Sequence, residues 1–108
     1  MLRIIISVVL LLTSVYAPSS GSAELRARMA VAESWLDKEF NVSAIGKAQQ
    51  LEEMRWFIQA AKPFRGMKIN ALSETITTHE YESEIIAKAF SEITGIEVQQ
   101  DLTQEGDV

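Results

Sequence analysis

Beyond residue 23 the apolar positions of this chain fall into three helical stretches and two short extended ones. Over residues 24–40, ELRARMAVAESWLDKEF, the residues Leu25, Met29, Ala32, Leu36 and Phe40 lie four, three, four and four apart. Arg26, Arg28, Glu33 and Asp37 lie off that line, so the spacing predicts a helix with one buried stripe. Asn41 to Gly46 is a break rich in turn formers. A second helix is predicted over 47–61, KAQQLEEMRWFIQAA, with Leu51, Met54, Ile58 and Ala61 as its stripe and Trp56 and Phe57 widening it. Pro63 stops it, because proline cannot continue the hydrogen-bond ladder, and Gly66 turns the chain.

Met67 to Leu72 predicts a strand whose apolar residues do not alternate cleanly, as expected when both faces of a sheet are covered. A helix over about 78–94 follows. Thr77 and Glu80 have the spacing of a capping box, and Glu80, Glu82 and Glu84 suit the positive end of the helix dipole. Tyr81, Ile85, Ala89 and Ile93 recur every four residues, with Ile86 and Phe90 beside them, and Gly95 stands where a C-terminal cap belongs. From Ile96 to about residue 102 the pattern alternates, which predicts a second strand. Strand, helix, tight turn and strand make a β-α-β unit with parallel strands and a right-handed crossover. Two strands do not close a stable α/β sheet, and the chain stops at Val108 directly after the second. The expected fold is therefore an α/β domain left incomplete, the start of a larger protein.

Composition changes the picture at the N-terminus. Of the 108 residues 47% are hydrophobic, and nine of these are packed into Ile4 to Val15, with no charge between Arg3 and Glu24. A basic start, an apolar core of about a dozen residues and a small-residue exit at Gly21-Ser22-Ala23 predict a signal peptide over 1–23, cleaved after Ala23. The core is short for a bilayer span. The organisation expected is thus a signal peptide (1–23), a helical leader (24–62) and a β-α-β unit (63–108). Beyond residue 23 there are nine Lys and Arg against 15 Asp and Glu, a net charge of −6. That balance argues against nucleic acid and against an anionic membrane surface. Cysteine is absent, which excludes disulfides and lipidation, so a soluble periplasmic location is expected.

Chemistry concentrates after the first strand. In open α/β sheets, ligands bind beyond the carboxyl ends of the strands, beside the starts of the following helices. Ser73, Glu74, Thr75, Thr78 and His79 occupy that position and offer donors and acceptors suited to a neutral polyhydroxyl ligand. Thr77 fits a helix cap better than a ligand contact. Trp35, Trp56 and Phe57 lie on or beside helical stripes, which points to packing rather than sugar stacking, and Tyr81 falls on the core stripe. His79 and Glu82 share a helix face, but one imidazole and one carboxylate do not make a metal site. With one His, no Cys and no Gly-rich phosphate loop, there is no nucleophile–base constellation, and neither an enzyme nor a cofactor is expected.

Three features together resemble a known family. The first strand runs into Leu72-Ser-Glu-Thr-Ile-Thr-Thr-His-Glu-Tyr-Glu82, the helix ends in the pattern F-x-x-x-T-G-I-x-V from Phe90 to Val98, and a helical leader with Trp35 and Trp56-Phe57 precedes both. In this the chain resembles the opening of the first lobe of bacterial extracellular solute-binding proteins (family 1) of ABC importers, in the carbohydrate and polyol (glycerol-like) branch. The resemblance covers the mature chain but only the first part of the family's length. It implies a type II periplasmic-binding-protein lobe, capture of a carbohydrate or polyol for import, and a membrane permease as partner of the full-length protein. It also implies a monomer, and it points to the same Ser73–His79 segment as facing the cleft. The alternative is a small secreted helical interaction protein, or a non-functional remnant of the transporter component.

Overall fold

The computed structural model describes residues 19–104 and 106, and the expected signal peptide lies for the most part outside them. The first helix, α1, spans Ser20–Lys38 and so begins before Glu24. Its start is set by the Ser19 carbonyl, which accepts from the amides of Ser22 (2.9 Å) and Ala23 (3.3 Å) and from the Ser22 hydroxyl (2.8 Å). It stops two residues short of Phe40, whose ring folds back to stack on Trp35 with centroids 6.3 Å apart. Helix α2 spans Lys47–Ala61 and passes into a single 3-10 turn, Lys62–Phe64, at Pro63. Lys47 pairs with Asp37 and with Glu33 (3.2 Å), tying the start of α2 to α1. The hydrogen bond to Asp37 leads in holding its exposed ammonium above the ordinary 10.5.

Strand β1, Lys68–Glu74, pairs in parallel with β2, Glu97–Thr103, from Lys68 opposite Glu97 to Glu74 opposite Thr103. Between them runs one helical column in three pieces: α3 (Thr77–Tyr81), a π-helical segment (Glu82–Ile86) and α4 (Ala87–Thr94). The β-α-β unit of the sequence pattern is therefore present, with each strand shifted one residue or more toward the C-terminus.

The core lies where α1 and α2 pack on α4. Ala32, Ile58, Ala89 and Ile93 form its centre, with Leu25, Met29, Trp35, Phe40 and Met54 half-buried around it. Small side chains at this crossing let the helices approach closely, and few large residues are fully buried. The Trp35 indole N–H donates to Glu92 (2.8 Å) and adds a polar tie between α1 and α4.

The packing expected for Trp56 and Phe57 is not found: they are 63% and 40% exposed and meet each other edge to face. Two residues before Ile58, Trp56 points to the far side of α2 from the core, because each residue turns the helix by about 100°. The two-sided covering expected for the first strand is also absent. Along β1 only Ser73 is even half-buried, because the helical column lies over β2. Side chains alternate, so Ser73 and Gln100 share the helix-facing side while Lys68, Glu97 and Asp101 share the open one. Among the described residues no helix is long and apolar enough to cross a membrane.

Candidate functional site

The carboxyl end of β1 leads into the candidate site through a short, heavily hydrogen-bonded connection. Thr75 donates twice to the Thr103 carbonyl, from its amide (2.8 Å) and its hydroxyl (2.9 Å), so the chain stays in register with β2 beyond the last ladder pair. The Ile76 amide then turns back to the Glu74 carbonyl (3.1 Å). The helix cap is Ile76, whose carbonyl accepts from the Glu80 amide (2.9 Å), and no side chain caps the helix. Thr77 is thus not the cap, and the expected capping box does not form. The pair of hydrogen bonds from Thr75 to β2 holds the chain extended to Ile76, which leaves the Thr77 hydroxyl one position too late to accept from the first turn.

His79 takes over the tethering. Its Nδ1 lies 2.9 Å from the Glu74 carbonyl, and a carbonyl can only accept, so Nδ1 carries the proton. Thr77→Ala should accordingly shift stability by less than about 0.5 kcal/mol, well below the ~1 kcal/mol of a working cap. Urea unfolding of the two proteins checks this, and a loss near a full cap's value would restore Thr77 to that role.

The five residues picked from sequence do converge on this end of the sheet, in different settings. Ser73 and Glu74 belong to β1 itself rather than to a loop. Ser73 is half-buried and accepts from the Gln100 side-chain amide (3.0 Å), while the Glu74 carboxylate stands exposed. Thr75 and Thr78 are exposed, and His79 is half-buried.

Three more residues complete the cluster. The Gln100 side chain donates to Glu82 (3.3 Å) as well as to Ser73, and its main-chain carbonyl accepts from the Ser83 hydroxyl (2.9 Å). Glu82 in turn lies 4.0 Å from His79 Nε2. The signal for Gln100 was its parity: in Glu-Val-Gln-Gln it shares a face with Val98, so a polar group was bound for the helix side. Glu82 and Ser83 open the π segment, a widening that brings them to the strand and that often accompanies functional sites. Among the described residues no group of three or more His, Cys, Asp or Glu side chains could hold a metal ion.

A concavity lies on the other flank of the helical column, between α2 and α4. It holds about 140 Å³ and is lined almost wholly by apolar groups, chiefly Phe40, Met54, Phe57, Ile86 and Phe90. Compared with known protein families, curated proteins and solved structures, the chain matches none of them.

Proposed function

We propose that this β-α-β unit belongs to the solute-binding component of an ABC importer, acting in the periplasm and handing a carbohydrate or polyol to a membrane permease. The observation that carries the reading is the parallel pairing of β1 and β2, with Ser73, Thr75 and His79 gathered at their carboxyl ends. This is the edge at which α/β sheets hold ligands. The side groups there are hydroxyls, an imidazole, an amide and carboxylates, which can answer both the donors and the acceptors of a neutral polyhydroxyl solute. Titrating the full chain with glycerol and with monosaccharides should move the backbone amide resonances of Ser73 to His79 saturably and leave those of α1 unmoved. No response to any polyol or sugar would overturn the reading.

A second reading rests on the apolar concavity between α2 and α4. With Phe57 and Ile86 both more than a third exposed, it would suit a secreted helical protein that binds another protein.

A further inference from the structure

The geometry points to His79 and Glu82 as a two-acceptor seat for a vicinal diol, one hydroxyl to each. This inference rests on the reading of the strand ends as a polyol site and says which part of the solute is gripped, and by what. The donor ledger leads there. His79 Nδ1 is committed as a donor to the Glu74 carbonyl, so in the tautomer that this bond selects Nε2 is a bare acceptor. The Glu82 carboxylate is acceptor-only and faces that nitrogen at 4.0 Å, too far for a direct hydrogen bond.

Neither acceptor is free to swing away. The Gln100 side-chain amide, anchored on Ser73 and carried by a main chain whose carbonyl accepts from Ser83, donates to the same Glu82 oxygen, Oε2, that faces the ring. Both side chains are about a third exposed, at 30% and 40%, so the gap opens to solvent.

A single hydroxyl carries one proton and can satisfy only one of the two acceptors. Two hydroxyls on adjacent carbons, held gauche, carry two donors side by side. Each reaches its acceptor over about 2.7–2.8 Å, which suits acceptors 4.0 Å apart. Hydroxyls at opposite ends of a ring cannot do this. Gln100 is then a positioning residue: it touches no solute but fixes the oxygen that does.

His79 is the single histidine of the chain, so its ring nitrogens are an unambiguous reporter. The test uses the full chain, labelled with nitrogen-15, at a pH where the ring is neutral. Two diols of identical formula are compared, cis-1,2-cyclohexanediol and trans-1,4-cyclohexanediol, with glycerol alongside. The free protein should show protonated Nδ1 and bare Nε2. The 1,2-diol and glycerol should move the Nε2 resonance saturably, and the 1,4-diol should bind at least about tenfold more weakly. Glu82→Gln, which keeps the shape and removes the charge, should cut 1,2-diol affinity by about tenfold.

If glycerol moves the Ser73–His79 amides while Nε2 stays still, or if the two diols bind alike, the diol seat is wrong and the polyol reading survives. If no polyol or sugar moves any resonance, both fall. The comparison of diols needs no variant, so a poorly folding Glu82→Gln would leave the result intact.

Discussion

Replacing Gly95 by alanine lowers the stability of this protein by about 2–3 kcal/mol, read as a drop of roughly 10–20 °C in melting temperature for a domain of this size. Gly95 ends α4 with φ of 79°, in the left-handed region, where a β-carbon costs about 1–2 kcal/mol. The new carbon would also stand 2.9 Å from Arg28 Nη2. That guanidinium lies over the glycine because it donates to the Ile93 carbonyl (3.3 Å) and pairs with Glu24 (3.3 Å), putting a cation on the negative end of the helix. It can move aside, but only by giving up those bonds.

The glycine is held from a third direction by its own carbonyl, which accepts from the Gly66 amide (2.8 Å) at the turn into β1. Gly46→Ala is the control. It has φ of −69° and open space around the added carbon, and the lost flexibility of the unfolded chain offsets a slightly poorer cap. Equal melting temperatures for the two variants would refute this account of Gly95.

Ile58→Ala is expected to cost about 2–5 kcal/mol, a large share of what a small domain has in total. Ile58 is fully buried where α2 meets Ala32 of α1 and Ala89 and Ile93 of α4. Its neighbours are mostly small and cannot collapse into the space it leaves. Trp56→Ala, two residues earlier, removes a much larger side chain and should cost under about 1 kcal/mol, because most of that ring is already in water. Urea titrations of the two variants should therefore rank them opposite to side-chain size. A larger loss for Trp56→Ala would mean that something covers the outer face of α2.

Much of this architecture can be read from residue spacing, because a helix stripe records which side is buried. Leu25 to Leu36 and Met54 to Ala61 predict the packing faces of α1 and α2 correctly, and Gly95 marks the end of α4. The width of a stripe is another matter. Trp56 and Phe57 broaden the apolar face of α2, yet among the described residues α1 and α4 cover just the middle of that face.

At the site, the residue types at the strand ends are legible and their partners are not. Thr77 and Glu80 have the letters of a capping box, and the paired hydrogen bonds of Thr75 to Thr103, a contact 28 residues away, override it. Long-range ties of this kind leave no local periodicity: the role of Arg28 stays hidden for that reason, and the parity of Gln100 tells its face but not its partners. The Thr-Gly-Ile run at the end of α4 shows what such a motif is for. Thr94 donates to the Phe90 carbonyl (2.7 Å) and accepts from the Ile96 amide (3.2 Å), satisfying a buried hydroxyl while the glycine turns the chain.

The π segment makes the column between the strands two helices in one. An extra residue in an α-helix turns everything on one side of it by about 100° relative to the other. Here that offset lets Ser83 and Glu82 reach β2 while Ala89 and Ile93 keep their places in the core. Removing one residue between Glu82 and Ile86 would restore an unbroken α-helix, swing His79 away from Glu74, and leave the α1–α2–α4 crossing as it is. Changes of one residue in length are absorbed at this point as rotation, so the side chains at the carboxyl edge of the sheet can be re-aimed without disturbing the packing that keeps the domain folded.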